Sequence, residues 1–282
     1  MKYSLTAIAL ALLVCASPVA RALEVVTLIT PLQLVVDEIL GQPRRSTALI
    51  DARESPHHFQ LRPSQLRQLA EADLVIWVSD HFETGLARLH AQLPASTQRL
   101  QLGQIAPAGL IIGQGHDIDG HLWLSPSAMA ALAMPIAEQL ARQDPANASV
   151  YPANARRLRQ RIDAWLAKAR QDFADGQPAY VLDHGFLAYF ERDLGLASLG
   201  SLRDNHDQGG SMRHLSQLRR TLETRHANCL LVDRLPASAQ ARQVASSHDL
   251  QIRQLQVLGD PQSMTSIIDL YRHIVDVLAG CR

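Results

Sequence analysis

The stretch of sequence that decides the fold is Glu54-Ser55-Pro56-His57-His58-Phe59-Gln60-Leu61-Arg62-Pro63-Ser64-Gln65. An apolar run at residues 46–50 predicts a buried strand before it, and Ser64 is the predicted N-cap of a helix over residues 65–71. His57 therefore follows the carboxyl end of a strand, the edge at which open α/β sheets bind ligands. A single loop histidine is also typical of a solvated surface, so this stretch alone leaves the function open.

Strand and helix patterns alternate along the rest of the chain, which predicts mostly parallel sheets covered by helices on both faces. Between two such regions, apolar residues recur at spacings of three or four from about residue 146 to 174. This pattern predicts one amphipathic helix. At 1.5 Å per residue it would be roughly 43 Å long, which suits a spine between two lobes better than a core element.

The predicted fold is therefore α/β, with two parallel-sheet lobes joined by one long helix. The predicted boundaries are a signal peptide at residues 1–22, a first lobe at 23–143, the linking helix at 144–176 and a second lobe at 177–282.

The first 22 residues have the features of a signal peptide. Lys2 precedes an apolar run at residues 5–14, and Ala20-Arg21-Ala22 offers small residues to a signal peptidase. The apolar run is too short to span a bilayer. Leu12-Leu13-Val14 lacks the small residue that usually precedes a lipidated cysteine, which argues against a lipid anchor at Cys15. We expect export to the periplasm and a mature protein that begins at Leu23.

Export leaves two cysteines, Cys229 and Cys281, in a compartment that permits disulfides, and we expect this pair to be bridged. The chain has 282 residues and 47% hydrophobic content, which excludes disorder. Lys+Arg and Asp+Glu balance at 27 each, so the charge gives no indication of a nucleic-acid partner. The sequence contains no Gly-x-Ser-x-Gly, Cys-x-x-Cys or glycine-rich phosphate motif.

Three further polar residues share the placement of His57 in loops that lead into helices: His121, His184 and Asp260. Three imidazoles and one carboxylate would form a tetrahedral site that suits zinc. The chain has 12 histidines, however, and several would fall in loops by chance. Placement alone leaves both interpretations open.

The motifs themselves are more specific. Ser55-Pro56-His57-His58-Phe59-Gln60-Leu61-Arg62-Pro63-Ser64, Ala72-Asp73-Leu74-Val75-Ile76-Trp77-Val78, Gly120-His121-Leu122-Trp123-Leu124-Ser125-Pro126 and Asp183-His184-Gly185-Phe186-Leu187-Ala188-Tyr189-Phe190 occur in this order. Together they resemble the ZnuA-like branch of the cluster 9, or TroA-like, solute-binding proteins of ABC importers. The resemblance covers essentially the whole mature chain. It implies two α/β lobes, one connecting helix and a metal site in the cleft between the lobes.

The resemblance also implies the site residues. His57, His121 and His184 match the three family histidines, and manganese-specific members have glutamate where His184 stands, which favours zinc here. Asp260 is the expected fourth ligand, although Gly259-Asp260-Pro261-Gln262 departs from the family's Asp-Pro-Leu-Gly. Asp233 is the alternative fourth ligand, and water remains a third. Cys229 and Cys281 match a disulfide of some zinc members, and the family's histidine-rich loop is reduced to residues 116–119.

The function that the resemblance implies is a periplasmic zinc receptor, monomeric and without enzymatic activity, that delivers zinc to an ABC permease subunit. A zinc buffer or metallochaperone without a permease would share the same site. A zinc hydrolase would need a water molecule in the fourth position, and no His-Glu-x-x-His motif supports it.

Overall fold

The computed structural model describes residues 22–43, 45–52, 54, 59–87, 93–107, 118–174, 176–203 and 212–282. Residues 1–21 of the predicted signal peptide and the predicted ligand His57 therefore lie outside the described residues. Among the described helices, none combines the length and apolar character needed to cross a bilayer.

In the described part of the chain, two four-stranded parallel sheets form the framework, as the alternating pattern predicted. The first sheet contains β1 (Val25–Thr27), β2 (Thr47–Ala48), β3 (Leu74–Trp77) and β4 (Gln98–Gln101), in the order β2-β1-β3-β4. The second contains β5 (Tyr180–His184), β6 (Ser201–Arg203), β7 (Cys229–Val232) and β8 (Gln251–Gln254), in the order β6-β5-β7-β8. The two sheets thus share one strand order, and the two-lobe α/β fold is confirmed.

The helices connect the strands and cover the sheets. They are α1 (Thr30–Leu40), α2 (Pro63–Glu71), α3 (Thr84–Ala87), α4 (Leu102–Ile105), α5 (Pro126–Gln143), α6 (Val150–Asp172), α7 (Ala188–Leu194), α8 (Met212–Thr224), α9 (Ala239–Ser247) and α10 (Ile267–Ala279).

The long linking helix is α6, and it begins later than the apolar pattern suggested. A 3-10 turn at Pro145–Asn147 precedes it, and the helix has 23 residues, so its length is about 34 Å. Pro152 lies in its first turn, where no backbone N–H is needed, whereas a start at residue 146 would place Pro152 in the helix interior. The helix packs against α1 and α5 and also contacts α7 and α10. The lobe boundaries at 143/144 and 176/177 stay a prediction.

Two helix ends show how local chemistry sets the boundaries. Gly41 ends α1 in the left-handed conformation, with φ of 78°, which glycine adopts without strain. We predicted that Ser64 is the N-cap of α2, and this prediction is wrong. Arg62 is the N-cap and Pro63 opens the helix, because proline has the required φ and lacks the N–H that would go unpaired. The Gln65 side chain accepts a hydrogen bond from the Arg62 backbone at 2.7 Å.

The predicted disulfide is confirmed. Cys229, the first residue of β7, is bonded to Cys281, which lies just after α10, and both are fully buried.

The segment that carries His121 is attached to the second lobe by hydrogen bonds. Trp123 donates through Nε1 to the Val257 carbonyl at 2.8 Å, and the Tyr271 hydroxyl donates to the Trp123 carbonyl at 2.9 Å. Ser125 donates through its hydroxyl to Asp193 Oδ2 at 2.7 Å. These buried contacts hold the segment against α7, α10 and the loop after β8.

Trp123→Phe should therefore lower the free energy of unfolding by about 1–3 kcal/mol, because the Val257 carbonyl loses its donor in a buried site. Urea unfolding would measure this. The matched control is Trp77→Phe, which removes a bond from Nε1 to Asp80 Oδ1 within the first lobe. Asp80 is only half-buried and can bond to water instead. If Trp123→Phe lowered the free energy of unfolding no more than Trp77→Phe does, the Trp123 bond would not contribute to the attachment of the His121 segment to the second lobe.

Candidate metal centre

The candidate site lies at the carboxyl ends of β5 and β7. His184 is the last residue of β5, and Asp233 directly follows β7. These strands are neighbours, while β6 lies on the other side of β5. The chain therefore changes direction across the sheet at this point, and such switch points are where open α/β sheets bind ligands.

His121 joins His184 from a different part of the chain. It precedes a 3-10 turn at Leu122–Leu124, and its ring centroid is 5.7 Å from that of His184. Both histidines are buried. Asp119 Oδ1 lies 2.8 Å from His121 Nδ1 and also accepts the His121 backbone N–H at 2.9 Å. Asp119 therefore fixes the orientation of the ring and directs Nε2 away from itself.

Aromatic rings form the wall behind the two imidazoles. The Phe186 ring is 4.9 Å from that of His184, and the Phe82 ring is 5.3 Å from that of His121. Phe82 packs over Gly120, where an added Cβ would lie 1.9 Å from the phenylalanine side chain. Glycine is therefore required at position 120 for this close approach. Such an apolar wall limits water access to a bound metal.

Two carboxylates complete a group of possible ligands. Asp183, His184 and Asp233 each offer one ligand atom, and these atoms lie within 4.8 Å of one another. Burial raises the pKa of the Asp233 carboxyl, the Arg234 guanidinium opposes this, and the negative charge of Asp183 adds to it. A cation bound here would favour the charged form of Asp233.

Asp260 has a different environment. Its Oδ1 accepts the backbone N–H of Gln262 at 2.9 Å, and its Oδ2 accepts the Ser263 hydroxyl at 2.8 Å. These bonds lower the pKa of the Asp260 carboxyl. Asp260 thus closes a local turn, and it does not belong to the group formed by Asp183, His184 and Asp233.

A cavity of about 470 Å³ lies in front of these residues. It is lined by residues of both lobes, among them Asp51, Glu54, His121, Asp233 and Asp260. Asp51 and Glu54 precede His57 in the chain, and His57 itself lies outside the described residues. Three of the predicted ligands within the described residues therefore line one cleft, namely His121, Asp233 and Asp260. His184 lies next to Asp233.

The positions of Asp119 next to His121 and of Asp183 in the group with Asp233 were not predicted from the sequence. Asp119 was assigned only to a shortened polar loop, although its spacing of two residues from His121 is the available signal. Asp183 is a charged residue at the end of the apolar run Tyr180-Val181-Leu182, which is unusual for a buried strand.

Comparison with known protein families gives one match over nearly the whole chain. Residues 25–281 match the model of the family described as zinc-uptake complex component A, periplasmic. The high-affinity zinc uptake system protein ZnuA of Haemophilus ducreyi is 26% identical over 288 residues, covering 92% of this chain and 93% of that protein. ZnuA of Yersinia pestis is 26% identical over 269 residues, with 83% of each chain covered.

Other similarities are more distant. The manganese-binding lipoprotein MntA of Halalkalibacterium halodurans is 23% identical over 203 residues, covering 70% of this chain and 66% of that protein. A crystal structure of ZnuA superimposes with a TM-score of 0.81 at 21% identity, covering 92% of this chain and 99% of that chain. The AdcAII protein of Streptococcus pneumoniae gives 0.79 at 21% identity, covering 92% of this chain and 99% of that chain. At these identities the structures support the fold alone.

Proposed function

The chain belongs to the periplasmic zinc-uptake component A family, and on that premise we propose that it is an exported zinc receptor. It captures zinc in the cleft between its lobes and delivers the ion to the membrane permease of an ABC importer. The observation that carries the proposal is the meeting of the buried imidazoles of His121 and His184 with the half-buried carboxylate of Asp233 at a sheet switch point that faces the cleft.

Zinc suits the donors of this site. His121 would bind through Nε2, since Asp119 occupies its Nδ1. His184 supplies the second imidazole, and His57 is proposed as the third by its match to the family motif. Imidazole nitrogens with one carboxylate oxygen form a four-coordinate set that zinc accepts, whereas manganese prefers more oxygen donors. A site in a cavity shared by both lobes also gives the ion a path in and out.

Metal analysis of the purified exported protein tests the proposal directly. We expect about one zinc per chain after purification, removable by a chelator and recovered on titration. Protein that retains no zinc and takes up none would contradict the proposal. The mass of the same sample tests whether the mature chain begins at Leu23.

The fourth ligand can be assigned by comparing two variants. We now favour Asp233 over Asp260, since Asp233 lies in the group with His184 while both Asp260 oxygens bind a local turn. Asp233→Asn keeps an oxygen donor but removes its negative charge, so zinc affinity should fall by about tenfold or more, at least as much as for loss of a supporting residue. Asp260→Asn should change it by no more than about threefold, as for exposed substitutions elsewhere.

Competitive titration against a chromophoric chelator measures both affinities. A greater loss for Asp260→Asn would restore the assignment made from the sequence. Equal, small losses would indicate water in the fourth position.

Delivery to a permease is a separate part of the proposal. Cells that lack this protein should take up labelled zinc more slowly when zinc is scarce, and the wild-type gene should restore the rate. If the protein were instead a zinc buffer without a permease, its removal would change the amount of zinc stored in the cell envelope but would not change the initial rate of zinc uptake.

A further inference from the structure

Asp183 and Arg203 form a partly buried ion pair beside the candidate metal centre. Arg203 donates through Nη2 to Asp183 Oδ2 at 2.5 Å, and the side chain of Asp183 is only 7% exposed. Arg203 ends β6 and pairs with His184 in the sheet register, so the backbones of the two residues lie side by side. The zinc site proposed above uses neither partner of this pair.

Asp183 has the position of a metal ligand. One of its oxygens lies within 4.8 Å of ligand atoms on both His184 and Asp233. A second carboxylate at this distance would turn an imidazole-rich site into one with more oxygen donors and a higher coordination number. Harder ions such as manganese prefer that environment, and zinc does not require it.

The surroundings of Asp183 compete with a metal for its oxygens. Arginine remains protonated at all relevant pH values and binds carboxylates strongly, so its competition is permanent. Ser238 donates a weaker bond to Asp183 Oδ1 at 3.4 Å and is the N-cap of α9. The N-terminal end of that helix adds a positive partial charge near the same carboxylate.

We propose that Arg203 is a specificity-determining residue, which holds Asp183 out of the coordination sphere and so keeps the site selective for zinc over manganese. This inference rests on the proposed zinc-binding function. Arg203 acts through Asp183 and does not touch the ion, so it is a positioning residue. Its removal should release a carboxylate toward the metal and also remove a repelling positive charge.

The test compares Arg203→Gln, Asp183→Asn and the double variant with the wild type in separate titrations with zinc and manganese. In Arg203→Gln, the ratio of manganese affinity to zinc affinity should rise by about tenfold or more. The double variant should lose that rise because the released carboxylate is absent. Asp183→Asn alone should give no rise in manganese affinity relative to zinc affinity, because an amide oxygen carries no negative charge to offer a harder ion. Arg203→Lys keeps the charge and should retain most of the zinc preference.

Cobalt substitution provides a structural readout, because four-coordinate cobalt absorbs strongly in the visible range and higher coordination absorbs weakly. The wild type and Asp183→Asn should give the same intense spectrum, and Arg203→Gln a weaker one. Circular dichroism checks that each variant is folded. If Arg203→Gln fails to fold, the wild-type and Asp183→Asn spectra still decide whether Asp183 is bound.

Three results would overturn the inference. The first is a wild-type spectrum that changes on Asp183→Asn, because Asp183 would then already be a ligand. The second is an equal gain in manganese affinity for Arg203→Gln and the double variant, because charge alone would then act. The third is an unchanged metal preference in folded Arg203→Gln. A wild type that binds no zinc would instead defeat the proposed function, so the two failures are distinguishable.

Discussion

Zinc affinity will fall by more than about 100-fold when His184 is replaced by alanine, since loss of a ligand should exceed the 10–100-fold cost of losing its supporting residues. His184 ends β5 and is buried close to His121 and Asp233, where it is well placed to bind the ion. Water can fill the vacant position, but it replaces a neutral nitrogen donor that zinc favours. Competitive titration at neutral pH would measure the loss.

The control for this change is His226→Ala, which removes an exposed histidine of the same lobe. It should leave zinc affinity within about threefold of the wild type. His121→Ala and His57→Ala should resemble His184→Ala if all three imidazoles bind the ion. Wild-type affinity in all three variants would show that the cleft does not hold zinc.

The sequence predicted the fold well because hydrophobic periodicity reports burial directly. Parallel strands covered on both faces form continuous apolar runs, such as Leu74–Trp77 in β3. The predicted starts of two helices were less accurate, because a proline sets where each of them begins. Pro63 begins α2 in place of the predicted start after Ser64, and Pro152 forces α6 to begin near residue 150.

The candidate site was predicted less completely, because its contacts join residues that are distant in the chain. Asp193 accepts hydrogen bonds from Ser125 and Ser127, more than 60 residues earlier, and no sequence pattern predicts such a pair. The same limit applies to the fourth ligand. Asp233 and Asp260 both follow strands of the second sheet, and only the structure shows that the oxygens of Asp260 close a turn.

Removal of the disulfide by the double replacement Cys229→Ala and Cys281→Ala should lower the free energy of unfolding by about 4 kcal/mol. This value follows from the chain-entropy model for a sequence separation of 52 residues. Such a loss is a large share of the 5–15 kcal/mol typical of folded domains. Urea unfolding of the metal-free protein would measure it, and reductant should destabilise the wild type but leave the double variant unchanged.

The disulfide is connected to the candidate metal centre through β7, which begins at Cys229 and ends next to Asp233. Zinc binds the folded chain, so zinc at 1,000 times its dissociation constant should restore about 4 kcal/mol to the double variant. The wild type should gain a similar increment, because the bond stabilises the lobe without forming the site. A much smaller gain in the double variant would show that the cross-link also holds Asp233 in place. Two reactive thiols in unreduced, denatured wild-type protein would contradict the bond itself.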